Sequence, residues 1–263
     1  MKDTKHYSEI FNNSMEPTCG LVSIILPAYY ASDSIQNQVP GLIDFFHSKK
    51  INFEIIIVDD GSDDNGATKN VSEKLHCTYL QNEKNIGKGS AVRKGILNAR
   101  GEFIFYTDAD IPFEYESIEK FLYYLDFKEF DIVIGDRTLP KSLYFEEVSF
   151  LRKLTSRIFT FIVGRFITSG YNDTQCGLKG LRASIAKDVF NVSQINSFAF
   201  DVELLYIALK RNYNVKKLPV ILRIRDNKSS VKVFRDSFIM LVDIFRIKYF
   251  QLKGTYKINE PTV

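Results

Sequence analysis

Two stretches of this chain, Phe-Glu-Ile-Ile-Ile-Val at 53–58 and Phe-Ile-Phe-Tyr-Thr at 103–107, carry almost no polar side chains. A strand with one solvated face alternates apolar and polar residues. A strand without that alternation has to be covered on both faces, as in parallel sheets layered between helices. Residues 22–26, 78–80 and 131–135 also read as strands, and 34–48, 65–75, 90–99 and 117–124 carry helical patterns, with Pro40 expected to break or kink the first helix. Strand and helix in turn predict an α/β fold on a mainly parallel central sheet with helices on both faces. At 263 residues and 45% hydrophobic composition, the chain can bury one substantial core.

Both apolar runs end in acids: Asp59-Asp60-Gly61-Ser62 after the first and Asp108-Ala109-Asp110 after the second. Open α/β sheets bind ligands beyond the carboxyl ends of their strands, so both clusters are expected at one edge. Alternate residues of an extended segment point the same way, so Asp108 and Asp110 can face one ion. Hard oxygen ligands there suit Mg²⁺ or Mn²⁺ carrying a diphosphate. The pattern reads as a site for a nucleotide-diphosphate sugar.

Other nucleotide folds are excluded residue by residue. Gly87-Lys88-Gly89-Ser90-Ala91-Val92 lacks the third glycine of a dinucleotide fingerprint, and Gly61 to Gly66 has P-loop spacing but Ala67 where the phosphate-binding Lys belongs. There is no GxSxG or HExxH, and His6, His47 and His76 are too scattered for a triad or a metal site. Cys19, Cys77 and Cys176 show no CxxC spacing, which indicates neither a disulfide framework nor zinc and suits a reducing, cytoplasmic location.

The net charge of +3 hides an asymmetry: residues 211–257 hold 12 Lys/Arg against 3 Asp/Glu. Such a basic end is either a solvated face or a surface for phosphate, on nucleic acid or on a membrane. An anion-rich crevice repels nucleic acid, so no nucleic-acid partner is expected. No segment approaches the roughly 20 uncharged residues that span a bilayer, and the N-terminal residues lack an apolar signal-type stretch. Residues 150–167 and 234–250 place apolar residues at helical spacing among basic ones and can lie in a membrane interface, a packed core helix being the competing reading. Membrane contact is therefore expected to be peripheral.

Five blocks in order, Val22-Ser-Ile-Ile-Leu-Pro-Ala-Tyr29, Val58-Asp-Asp-Gly-Ser62, Asn85-Ile-Gly-Lys-Gly-Ser-Ala-Val-Arg93, Asp108-Ala-Asp110 and Asp173-Thr-Gln-Cys-Gly-Leu-Lys179, resemble family 2 glycosyltransferases of the GT-A fold. Within that family the chain is most similar to the polyprenyl-phosphate sugar synthases, on the dolichyl-phosphate glucosyltransferase branch. The resemblance implies Pro27, Ala28 and Tyr29 around the base and ribose, with Asp59 and Asp60 accepting hydrogen bonds from them. It also implies Lys88 and Arg93 near the diphosphate, Ala109 against the ribose, and Asp108 and Asp110 on the Mg²⁺ or Mn²⁺. Two departures stand out: Ala31 where the family commonly has Glu, and Pro112 where mannose-transferring members often carry a metal-binding Gln.

An alcohol acceptor needs a general base, whereas a lipid phosphate is already an oxyanion and calls for cations instead. The second half supplies Arg137, Lys179, Arg223, Arg225 and Lys232. By resemblance Arg137 and Arg225 match phosphate-binding arginines, Lys179 and Lys232 join them, and Asp201 is the residue to suspect if a base is needed. The expected organisation is a polar arm over 1–20, a catalytic domain over 21–230 and a basic amphipathic helix and tail over 231–263. The expected activity is inverting transfer of a hexose, glucose from UDP favoured, to a polyprenyl phosphate at the cytosolic membrane face. A saccharide-hydroxyl acceptor in surface-polysaccharide synthesis is the alternative.

Overall fold

A computed structural model describes residues 20–143, 170–171, 173–223 and 233–257. The arm over 1–19, with Cys19, and the amphipathic stretch 150–167 lie outside the described residues. The strands are β1 (Val22–Ala28), β2 (Phe53–Asp59), β3 (Thr78–Gln81), β4 (Phe103–Tyr106), β5 (Ile132–Gly135), β6 (Lys179–Arg182) and β7 (Val215–Leu218). The helices are α1 (Ser32–Ser48), α2 (Ala67–Lys74), α3 (Lys88–Asn98), α4 (Glu116–Asp126), α5 (Ala183–Val192), α6 (Phe200–Lys210) and α7 (Val233–Leu252).

One sheet of order β3-β2-β1-β4-β6-β5-β7 carries the fold, and β6 alone runs against its neighbours. Because the other pairings are parallel, β1, β2, β4, β5 and β7 all end at one edge, and β6 begins there. The period of two explains the unbroken apolar runs. In β1, Ile24 and Leu26 join the core under α1 and α4, while Ile25 joins the core under α3, α5, α6 and α7. Both faces are covered, as expected.

Pro40 neither ends nor interrupts α1. Val39, Leu42, Phe45 and Phe46 around it are buried; at about 1.5–3 kcal/mol per buried side chain, their packing outweighs the roughly 3 kcal/mol cost of an interior proline. The C-terminal helix is equally integrated. Ile244 and Ile247 of α7 and Tyr256 beyond it pack into the same core as α3, α5 and α6.

Candidate active site

The shared strand edge collects the acids. Asp59 closes β2, and Asp108 and Asp110 follow β4, the adjoining strand on the far side of β1. Beyond β5 stands Arg137, and the segment 173–178 leads into β6.

Asp60 is buried and accepts three hydrogen bonds from the chain itself: at Oδ1 from Asn82 Nδ2 at 2.8 Å and Ile86 N–H at 3.1 Å, and at Oδ2 from Gly87 N–H at 2.7 Å. This pins the start of α3, whose first residue is Lys88. Asp59 likewise accepts from Ser62 N–H and Oγ–H at 3.0 and 2.6 Å and from the Tyr79 hydroxyl at 2.8 Å. Both carboxylates thereby brace the loops on which other groups stand. Gly61 completes the turn with φ +75°, and a Cβ there would meet the Lys84 backbone at 2.4 Å.

Lys88 Nζ sits 2.5 Å from Asp108 Oδ1. Burial alone would push its ammonium down, but the nearby carboxylates of Asp108, Asp201 and Asp110 outweigh that, and it titrates above its ordinary value. A positive charge therefore stands beside Asp108 and Asp110. Asp108 carbonyl accepts from Ile111 N–H at 2.9 Å, and Ile111 has the unusual φ of +41°; this tight turn presents Asp108 and Asp110 from one short loop. Gly177 makes room for it, because a Cβ there would fall 2.4 Å from Asp108 Oδ2. Among the described residues no three His, Cys, Asp or Glu converge as a metal cage. Two carboxylates with substrate oxygens completing the shell is the way Mg²⁺ is commonly held in phosphate chemistry, so the donor set fits a divalent ion shared with a diphosphate.

Arg93 does not reach that region. Its guanidinium bonds Ser193 Oγ at 3.0 Å, Asn196 Oδ1 at 3.0 Å and the Ile195 carbonyl at 3.2 Å, fastening α3 to the loop before α6. Lys179 is also reassigned. It is 0% exposed, with Nζ 2.6 Å from Asp201 Oδ1 and 2.8 Å from the Cys176 carbonyl, so an outside phosphate cannot reach it. Asp201 is 4% exposed and also accepts from the Tyr106 hydroxyl at 2.6 Å, which makes it the centre of a buried network rather than an open base. Beside this network burial pushes the Cys176 thiol up to about 12, leaving it inert.

Arg137 is held by Asp173: Nε donates to Oδ2 at 2.9 Å, Nη2 to Oδ1 at 2.7 Å, and the backbone N–H to Oδ2 at 2.7 Å. Burial raises the Asp173 carboxyl, but Arg137 more than reverses this and holds it below the ordinary value. The fork is thus oriented, with the arginine still 30% exposed at the site edge. Arg225 and Lys232 lie outside the described residues. Pro27 and Ala28 end β1, with Tyr29 half exposed just beyond, and Ala109 lies between the two metal-type acids. Asp173, which holds Arg137, and Gly177, which leaves room for Asp108, both stand in the block 173–179, and only the fold reveals what they touch.

The chain matches the model of Glycosyl transferase family 2 over residues 23–190. It is 33% identical over 258 residues to the dolichyl-phosphate beta-glucosyltransferase of Dictyostelium discoideum, covering 90% of this chain and 77% of that one. With the Homo sapiens protein of the same name it shares 30% identity, over 71% of this chain and 62% of the relative. Among solved structures, glucosyl-3-phosphoglycerate synthase from Mycobacterium tuberculosis in complex with Mn²⁺, UDP and glucosyl-3-phosphoglycerate superposes with a TM-score of 0.66 at 15% identity. That superposition covers 87% of this chain and 80% of the other.

Proposed function

The chain belongs to glycosyl transferase family 2, and from that premise we propose that it transfers glucose, with inversion, from UDP-glucose to a polyprenyl phosphate. The observation that carries the acceptor is the 33% identity, over 90% of the chain, to a dolichyl-phosphate beta-glucosyltransferase. The site supports it chemically. Asp201, the carboxylate that would serve a hydroxyl acceptor as base, is engaged by Lys179 and Tyr106, and a phosphate acceptor requires no base.

In this reading a phosphate oxygen of the acceptor attacks the anomeric carbon from the face opposite the leaving group. The new C–O bond forms as the bond to UDP breaks, and UDP departs with the electron pair. Asp108 and Asp110 would hold Mg²⁺ or Mn²⁺, which when bound neutralises charge on the diphosphate. Lys88 adds a fixed positive charge beside Asp108, preorganised by Asp60 through Gly87. Arg137, oriented by Asp173, would place its positive charge at the site edge for the acceptor phosphate.

Among the described residues no helix is long and apolar enough to cross a membrane. A peripheral membrane partner is supported by α7, where Phe245 at 74% and Leu252 at 86% exposure share the surface with Arg246, Lys248 and Lys253.

The test is a transfer assay pairing radiolabelled UDP-glucose and GDP-mannose with undecaprenyl or dolichyl phosphate and with saccharide acceptors. Glucose appearing on lipid phosphate is the expected product. Transfer only to saccharide hydroxyls would overturn the acceptor assignment.

A further inference from the structure

The inward stripe of α7 runs through Met240, Asp243, Ile247 and Phe250, so a carboxylate stands where the helix otherwise presents apolar side chains to the core. Asp243 is buried. Desolvating a charge at that position costs free energy that a leucine would not incur. Its partner across the packing is Ser197, whose Oγ–H donates to Oδ2 at 2.5 Å, while Oδ1 accepts from Arg246 Nη1 at 3.1 Å within the same helix. The charge is buried to hold a loop.

That loop, residues 193–199 between α5 and α6, lies against the start of α3. The Asn196 carbonyl accepts from Gly89 N–H at 2.8 Å, and Asn196 Oδ1 accepts from Arg93 Nη1 at 3.0 Å. No side chain separates the two backbones: a Cβ at Gly87 would fall 2.4 Å from the Asn196 carbonyl oxygen, and one at Gly89 would fall 2.6 Å from that of Ile195. Lys88 stands between these two glycines and reaches Asp108. Asp60 already grips this segment through Ile86 and Gly87 N–H, and the Asn196 carbonyl is the second hold, one that ends on the C-terminal helix.

A fixed charge stabilises a departing anion most when it need not move during the reaction. A loop free to shift would release the backbone on either side of Lys88. We infer that Asp243 is a positioning residue for the donor site: through Ser197 it sets the Asn196 backbone against Gly89 and so holds the Lys88 ammonium in place for the donor's diphosphate. This rests on the sugar-nucleotide reading above.

Asp243→Asn removes the charge and keeps an oxygen to accept from Ser197, whereas Asp243→Ala removes both. Calorimetry with UDP and Mn²⁺ should show parental affinity in Asp243→Asn and affinity weakened about tenfold in Asp243→Ala, with the KM for polyprenyl phosphate unchanged in both. Ser197→Ala breaks the same bond from the loop side and should reproduce the loss even if Asp243→Ala fails to fold. In a Lys88→Met background Ser197→Ala should weaken UDP no further, because the group it positions is gone. Parental UDP affinity in Ser197→Ala, an equal loss in Asp243→Asn and Asp243→Ala, or a full additional loss in the Lys88→Met background overturns the role of Asp243 and leaves the sugar-nucleotide reading intact. A parent that binds neither UDP nor GDP overturns that reading and the positioning role with it.

Discussion

Replacing Lys179 by Met separates an acceptor role from a structural one. The Lys179 ammonium is fully buried and bonded to Asp201 at 2.6 Å and the Cys176 carbonyl at 2.8 Å, over the Tyr106 ring at 5.4 Å. Methionine fills most of the volume but leaves the Asp201 carboxylate buried with only the Tyr106 hydroxyl as an identified donor. Removing one member of a buried pair typically costs about 3–5 kcal/mol. With an m-value of about 3 kcal/mol/M for a chain of this size, the urea midpoint should fall by about 1–1.7 M. Adding Asp201→Asn removes the stranded charge, so Lys179→Met/Asp201→Asn should recover part of the loss and show a coupling of at least about 1 kcal/mol in a double-mutant cycle. The assay is urea unfolding followed by far-UV circular dichroism, with transfer kinetics measured well below the midpoint. An unchanged midpoint with a raised KM for polyprenyl phosphate would refute the buried-pair account and return Lys179 to the acceptor site.

Chelation by EDTA should abolish transfer, with Mg²⁺ or Mn²⁺ restoring it, and Asp110→Ala should lose most activity while keeping the parental melting temperature; full activity in that variant would exclude Asp110 from the metal. Gly177→Ala would set a methyl 2.4 Å from Asp108 Oδ2, and the displaced carboxylate should lower single-turnover rates about tenfold to hundredfold; a parental rate would show that Asp108 tolerates the shift. Because Arg137 depresses the Asp173 carboxyl below its ordinary value of 3.8, the stabilisation is present above that pH and lost as pH falls through the lower folded value. Asp173→Asn should therefore flatten the acid side of the stability profile below pH 3.8, and parallel profiles for parent and variant would contradict the ion pair. Phe245→Asp with Leu252→Asp should abolish co-sedimentation with anionic vesicles while leaving UDP binding unchanged; retained sedimentation would exclude α7 as the membrane surface.

The architecture was legible where burial has a period. Runs such as 103–107 have no solvated alternate face, so they announce a doubly covered strand before any coordinates exist, and acids directly after them fall at the ligand edge of a parallel sheet. The short strands β6 and β7 and the helices α5 and α6 were not delimited in advance. Four-residue strands such as Lys179–Arg182 carry too little periodicity, and α6 is buried almost all round, which erases its amphipathic signature.

Chemical type could be read from residues, but partnership could not. That Asp108 and Asp110 suit a hard cation follows from their oxygens and spacing alone. That Lys88 reaches Asp108, Lys179 is spent on Asp201 twenty-two positions away, and Arg93 fastens a loop a hundred residues downstream depended on which strands became neighbours. A Lys or Arg in a motif has the same charge wherever it lies. Whether that charge meets a substrate or a buried carboxylate is decided by desolvation and distance, and both exist only once the sheet has closed its two cores around it.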